Sequence, residues 1–497
     1  MEKTQQQESE ALFQWNARPS IGSIVPLGLQ HVVAAIVGVV TPALIVASAC
    51  GMTDAQETTL IQAALVLSGI ITILQAFPIV GRLGSALPIV MGTSFAYVPA
   101  LQSVGVQFGY GAILGAEIIG GVVALVFAVF LKPIRKLFPT IVTGTVIFTI
   151  GVSLYPTAIR YMAGGQGTEI FGTPAAWIVA IVTFAVVFAL NNFGKGIFKL
   201  GSLLFGIIVG VLVSIPFGML DLSSVDSAGI VAFPQIMPFQ IEFVPAACAT
   251  IAIVFIVNCV QVIGELTSTT VGAMDRDPNN KELSGGIFSV GVMAIVGAFI
   301  GGMPSSTFGQ NVGIVLTNKV INRYVIAFAG VLFVVAGMVP KLSAVLVAIP
   351  QPVIGGATVS VFATIAMNGV RLITQGGLTP RNSTIAGTSV ALGLGIEQVA
   401  GCLAGTGMPD WVGTVFGSSA LVVATLMAIL LNLILPKEEP TIQLSVDEKK
   451  AEDMAIGIEE AVGAGEPPKN VPAIGVDAHG VVVSPDEPIA SEAVGKE

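Results

Sequence analysis

The chain has 497 residues, of which 54% are hydrophobic and only 10% charged, with 58 glycines and a mean hydropathy of +0.89. A soluble protein of this composition would need many consecutive, wholly buried helices, so the balance points to an all-α polytopic membrane protein. The formal net charge of -9 says little about partners, because the stretch after Leu435 holds fourteen acids and five lysines and accounts for all of it.

Apolar windows of about 20 residues, the length that crosses about 30 Å of hydrocarbon, recur between residues 26 and 435. The segment 1–25 is expected to be a cytoplasmic N-terminal stretch, since Met1 to Arg18 is polar and acidic-leaning and lacks the apolar core of a cleaved signal peptide. The first span is expected at about 26–48, with Gln30 and His31 near its start, and the second at 58–77. The third begins at Leu87 and reads differently: Pro88 and Gly92 make Leu-Pro-Ile-Val-Met-Gly-Thr-Ser-Phe-Ala a short extended piece followed by a half-length helix. Further spans are expected at about 110–131, 139–155, 174–191, 198–218, 243–268, 284–300, 307–318, 322–339, 350–367, 381–397 and 412–435, fourteen in all with two of them short. The tenth again follows a Gly/Pro break, Gly301, Gly302 and Pro304, and runs through the polar segment Ser305-Ser-Thr-Phe-Gly-Gln-Asn311. Irregular backbone at membrane depth is tolerated only where it is buried in protein or lines a cavity, so this segment marks a midplane binding site.

Loop charges test the count, because Lys and Arg in short loops favour the cytoplasmic side. With the N-terminus inside, the inner loops carry Arg82, Lys132, Arg135, Lys136, Lys195, Lys199, Arg276, Lys281, Lys319, Arg323, Arg371 and Arg381, and the outer loops only Arg160 and Lys341. Both termini are therefore expected in the cytoplasm of a cell-membrane protein. Internal repetition is the next signal. Ser94-Phe95 matches Thr307-Phe308 at an offset of 213, and Pro139 with Gly144 matches Pro350 with Gly355 at an offset of 211. Seven spans per half is an odd number, so the halves would lie in opposite orientations, as two inverted 7-span repeats.

Few polar groups lie inside the spans. Asn258, Gln261, Glu265 and Ser268, spaced by three, four and three, share one helix face. An ionisable residue facing lipid costs several kcal/mol, roughly, so Glu265 is expected to face the interior as a protonatable group beside a substrate, or else to point at headgroups from a helix end. Glu117 has no comparable stripe, and a structural role stands level with a functional one. Glu397 is expected at the interface. His31 is the one histidine of the membrane part, and a lone histidine on an apolar helix is more often a packing residue than a ligand. The pairs Gly111/Gly115 and Gly297/Gly301 read as helix packing.

No P-loop, dinucleotide turn, Cys/His metal cluster or basic nucleic-acid stripe is present, so no enzyme, cofactor, metal or nucleic-acid role is argued. Cys50, Cys248, Cys259 and Cys402 are scattered singly. The tail 436–497, rich in Glu, Pro, Gly and Ala, has the composition of a disordered acidic cytoplasmic extension.

The run Gln310-Asn-Val-Gly313-Ile-Val-Leu-Thr317 resembles the signature of the nucleobase-ascorbate transporter family, also called nucleobase:cation symporter-2, with Asn318 where Arg, Lys or Gly usually follows. Leu29-Gln-His31, Gly92-Thr-Ser-Phe95-Ala and Gln261-Val-Ile-Gly-Glu265 agree with it. The resemblance covers roughly residues 25–435. It implies fourteen spans divided into a core (spans 1–4 and 8–11, about 26–131 and 243–339) and a gate (spans 5–7 and 12–14, about 139–218 and 350–435) that also makes a homodimer contact. It implies a nucleobase substrate between the short strands of spans 3 and 10. Gln310 would hydrogen-bond the base, Asn311 would support the site, Phe95 with its neighbour Ser94 would contact the base, and His31 would join the polar network behind span 8.

Many relatives carry Glu at the place of Gln261 and Asp or His at the place of Glu265. A carboxylate accepts two N–H bonds, whereas Gln offers one acceptor and one donor group. The expectation is a base presenting N–H and C=O side by side, with the protonatable role at Glu265 and H+ as the coupling cation. Gln310 rather than Glu resembles the purine-type members, so xanthine or uric acid is the first expectation and uracil the second. An anion transporter or channel-like protein on the same fold is the alternative outside nucleobases.

Overall fold

Twenty-nine residues, Ile21–Ala49, form the first long helix, α1, in the computed structural model. At 1.5 Å per residue it is about 44 Å long, ample for a bilayer crossing. The structure describes residues 11–135, 137–399, 401–417 and 419–436, together with two-residue strands at Gly475–Val476 and Val482–Val483 that pair antiparallel with each other. Residues 1–10, Lys136, Ala400, Ser418 and the rest of 437–497 lie outside the described residues, and with the last of these the expectation of a disordered tail.

α2 covers Asp54–Ala76, β1 Met91–Thr93, α3 Val98–Phe108 and α4 Tyr110–Val129. α5 (Thr140–Ser153) and α6 (Tyr155–Met162) follow, then α7 (Pro174–Phe193) and α8 (Ser202–Ser214). The second half of the chain supplies α9 (Pro245–Met274), α10 (Asn280–Phe299), β2 (Ser305–Thr307), α11 (Gly309–Asn318), α12 (Arg323–Gly337), α13 (Pro340–Val347), α14 (Gln351–Gln375), α15 (Pro380–Gln398) and α16 (Ala420–Ile434). The chain is thus an all-α polytopic membrane protein with short β elements. Among the described residues eight helices are long and apolar enough to cross a membrane, and nine if α12 and α13 count as one.

Several elements depart from the simple spans expected. The stretch at 322–339 does not end the eleventh element: the chain bends by 81° and Pro340 starts α13, a residue that fits the first turn of a helix better than its interior. The expected span 198–218 is interrupted at Gly201, which divides a short helix, Ile197–Leu200, from Ser202–Ser214, and it ends in a 3-10 turn at Ile215–Phe217. The last expected span, 412–435, is regular only from Ala420, after a short separate helix at Asp410–Phe416.

The two broken segments meet. β1 and β2 pair antiparallel, Met91 opposite Thr307, Gly92 opposite Ser306 and Thr93 opposite Ser305, and all six residues are buried. In a membrane interior this pairing satisfies backbone groups that lipid could not. Gly92 is required here, since a Cβ would lie 2.5 Å from Ser68 Oγ and 2.7 Å from the Phe308 ring.

Helix packing runs through reciprocal glycine contacts. A Cβ on Gly69 of α2 would lie 2.4 Å from the Gly330 carbonyl of α12, and one on Gly330 would lie 2.9 Å from the Gly69 carbonyl. Gly121 of α4 and Gly291 of α10 stand in the same relation, at 2.8 and 2.7 Å. α5 meets α14 where Gly144 faces the Gly369 carbonyl at 2.9 Å. Such close backbones are the packing mode available to helices that gain no hydrophobic drive from lipid. Gly111 and Gly115, expected to pack a helix, instead receive extended chain: Glu242 N–H donates to the Gly111 carbonyl at 3.0 Å. Gly301 serves a left-handed backbone turn, φ +70, rather than packing in a helix.

Candidate functional site

β1 and β2 are held from three sides. On α2, Thr72 accepts from Met91 N–H at 3.0 Å and donates to the Met91 carbonyl at 3.1 Å. One turn on, Gln75 donates to Ser289 Oγ of α10 at 2.6 Å and accepts from Ser85 N–H at 2.8 Å. From α9, Asn258 donates to the Ser305 carbonyl of β2 at 3.4 Å. Phe308, next after β2, donates its N–H to the Val90 carbonyl at 3.1 Å, and its ring fits against Gly38 of α1 and Gly92.

Gln261 and Glu265 lie one turn apart on α9, and Gln261 Nε2 donates to Glu265 Oε1 at 3.3 Å. The Thr307 hydroxyl of β2 interacts with this carboxylate, and neither Thr307 Oγ1 nor Glu265 Oε2 has any other partner among the described residues. α11 begins opposite. A Cβ built on Gly309 meets only the Glu265 carboxylate, at 3.5 Å, and one built on Gly264 or Gly313 meets nothing within 4 Å. The start of α11 thus lies against Glu265 with little side-chain filling around it, and Gln310 is exposed while Asn311 is buried.

Asn311 joins α11 to α1. Its Nδ2 lies 3.0 Å from His31 Nδ1 and donates to the His31 carbonyl, also at 3.0 Å. Among the described residues His31 makes no hydrogen bond to Glu265 or Gln261. Ser94 and Phe95 follow β1 directly; Ser94 Oγ accepts from Ala96 N–H at 3.1 Å, and Phe95 stacks edge-on against Phe362 of α14, ring centroids 5.3 Å apart. The sequence-derived candidates thus fall into three contacts: Gln261 with Glu265, Asn311 with His31, and Phe95 with a helix from another part of the bundle. Ser268 of the expected α9 stripe is exposed.

Thr72, Gln75 and Phe362 were not singled out from the sequence. Ser68, Thr72 and Gln75 recur at steps of four and three on an otherwise apolar helix, which is a readable polar face. Nothing in the sequence around Phe362 distinguishes it from other apolar helix residues. Among the described residues no group of three or more His, Cys, Asp or Glu side chains is arranged to hold a metal ion.

With this geometry in place, comparison with known proteins is decisive. The family model Xan_ur_permease, described as a permease family, matches residues 22–402. The chain belongs to that family. A Clostridium perfringens protein carrying a provisional purine-permease name is 36% identical over 423 residues, covering 84% of this chain and 91% of its own. The uric acid permease PucK of Bacillus subtilis is 32% identical, covering 84% and 96%, and the xanthine permease of the same organism is 30% identical, covering 84% and 94%. Among solved structures, the transmembrane domain of the cyanobacterial bicarbonate transporter BicA superposes with a TM-score of 0.54 over 82% of this chain and 97% of that one, at 14% identity. That likeness is one of fold alone. As a member of the Xan_ur_permease family, the chain is a permease rather than an enzyme.

Proposed function

We propose that this permease is a secondary active transporter that imports a nucleobase, an oxidised purine of the xanthine or uric acid type, by proton symport. The observation that carries the reading is the hydrogen-bonded Gln261 and Glu265 pair of α9, with the Glu265 carboxylate against Gly309 at the start of α11 and the exposed Gln310 next along. One Gln261 N–H is engaged by Glu265, which leaves its carbonyl and second N–H for a ligand. Such a side chain suits a planar base that presents N–H and C=O together, and the Gln310 amide offers the same complement. The family relatives named for uric acid and xanthine support this substrate class.

In this account Gln261 and Gln310 bind the base, Asn311 holds the start of α11 against His31, and Ser94 and Phe95 close the site from the end of β1. Glu265 carries the coupling proton, since it is the carboxyl group that touches the binding space, and His31 completes the polar network through Asn311. Binding of base and proton together lets the site move between the two sides of the membrane, and loss of either leaves a polar group unmatched in a dry site.

The finer architecture belongs to the same proposal: fourteen crossings in two inverted 7-span repeats, a core of spans 1–4 and 8–11, and a gate of spans 5–7 and 12–14. The antiparallel pairing of β1 with β2 supports it, because strands at equivalent places in inverted repeats run in opposite directions. The glycine contacts do too. In that scheme Gly69 with Gly330 joins spans 2 and 11, and Gly121 with Gly291 joins spans 4 and 9, which are equivalent pairs. The Phe95 to Phe362 contact would then bridge core and gate. The loop charges support a cell-membrane location with both termini cytoplasmic, and a homodimer through the gate is part of the family resemblance.

The test is uptake of labelled xanthine and uric acid into cells lacking their own nucleobase carriers. Saturable uptake that an uncoupler collapses and oxidised purines block supports the proposal. Blockage by uracil alone, or conduction of inorganic anions without base uptake, contradicts it.

A further inference from the structure

A cavity of about 670 Å³ lies away from the proposed substrate site, where the loop after α2, the end of α4 with the short helix Leu131–Arg135 that follows it, and the start of α10 come together. Arg82, Lys132 and Lys281 line it, one from each of these three segments, and its lining contains no acidic residue. None of the three makes an ion pair or a side-chain hydrogen bond with a described residue. Glu282, the acid adjacent to Lys281 in sequence, is committed elsewhere: it holds Arg276 at 2.6 Å and accepts from Asn279 N–H at 2.8 Å.

The loop that brings Arg82 here is built into the fold. Ile79 and Leu83 exchange backbone hydrogen bonds, each 3.1 Å, and Gly84 N–H donates to the Gly285 carbonyl of α10 at 3.1 Å. A Cβ on Gly285 would lie 2.2 Å from the Gly84 carbonyl, so the loop is seated on α10 by a contact only glycine permits. Ser284 Oγ donates to the Ala128 carbonyl at 2.9 Å and fastens α10 to α4 on the other side. The cavity also has an apolar side, made by Val80, 92% exposed at the tip of the turn, with Val129 and Phe130 at the end of α4.

We propose that this cavity binds the phosphate group of an anionic phospholipid, with Arg82, Lys132 and Lys281 around the phosphate and the acyl chains along Val80, Val129 and Phe130. Three unpaired cations without a compensating acid select an anion, and basic pockets between membrane helices near the surface are suited to lipid headgroups. A lipid, rather than a soluble anion, fits because the cations sit where two apolar helices end and exposed apolar side chains continue from them. The proposal does not depend on which base the protein carries.

The experiment titrates purified, delipidated full-length protein in detergent with phosphatidylglycerol, phosphatidylcholine and inorganic phosphate, reading retained lipid by mass spectrometry and the thermal unfolding midpoint. Phosphatidylglycerol is expected to bind and raise the midpoint, and the other two are not. Each charge removed weakens binding roughly fivefold, so R82Q/K132Q/K281Q loses roughly a hundredfold, while R82K/K132R/K281R retains it. The single variants R82Q and K132Q carry the test if the triple variant does not fold. Unchanged phosphatidylglycerol binding in the neutral variants overturns the proposal, and so does inorganic phosphate that binds or competes as well as the lipid.

Discussion

Asn311 binds His31 twice, through Nδ2 to the ring Nδ1 and through Nδ2 to the backbone carbonyl, both at 3.0 Å. A carbonyl can only accept, so the second bond fixes which end of the amide faces α1 and makes ring Nδ1 the acceptor, with the imidazole proton on Nε2. Asn311→Asp removes both donors and sets carboxylate oxygens against a carbonyl and a ring lone pair. Loss of roughly 1–3 kcal/mol is expected, as for a buried polar group left unmatched. Thermal unfolding of the purified variant checks this, and unchanged stability would show that the contact does not hold α11 to α1.

Glu265→Gln keeps the shape of the side chain and removes its capacity to gain and lose a proton. Base binding and exchange of internal for external base are expected to persist, while uphill accumulation disappears. Counterflow and net uptake measured on the same vesicles separate the two, and undiminished uphill uptake in the variant would remove Glu265 from the coupling role.

Thr72→Val is nearly isosteric but deletes both hydrogen bonds to the Met91 backbone. The Met91 N–H and carbonyl would be stranded in a buried segment, at a cost of roughly 1–3 kcal/mol. Expression and unfolding midpoint should fall together, whereas Thr59→Val, at an exposed hydroxyl that bonds only its own helix, should leave both unchanged.

Two glycine substitutions should separate folding from binding. Gly69→Ala places a methyl group 2.4 Å from a backbone carbonyl of α12, which cannot give way without parting the helices, so folded protein should be lost. Gly264→Ala meets nothing within 4 Å and should fold normally. Its methyl group stands beside Glu265 in the proposed binding space, so weaker base binding is expected, read as a higher KM in uptake at normal protein level.

The sequence showed where the membrane chain is broken, because Pro88, Gly92, Gly302 and Pro304 interrupt apolar runs and polar residues follow. It also showed the α9 face that carries Gln261 and Glu265, since helical spacing alone brings them together. That β1 pairs with β2 in a register placing Gly92 opposite Ser306 was not legible, because register across more than two hundred residues depends on tertiary packing. The Phe95 to Phe362 contact and the Gly69 to Gly330 contact escaped for the same reason: an apolar residue or a glycine does not announce its distant partner. Thr72 and Gln75 were within reach of helical periodicity, but polar residues that satisfy backbone look the same in sequence as polar residues that meet substrate.

The most direct test of the central claim is proton-gradient-driven uptake of labelled xanthine and uric acid, compared between the native chain and Glu265→Gln and competed with hypoxanthine, guanine and uracil. The account predicts saturable accumulation that an uncoupler collapses, that oxidised purines block and uracil does not, and that Glu265→Gln abolishes while exchange continues. Accumulation blocked by uracil alone, or unaffected by the loss of Glu265, would contradict it.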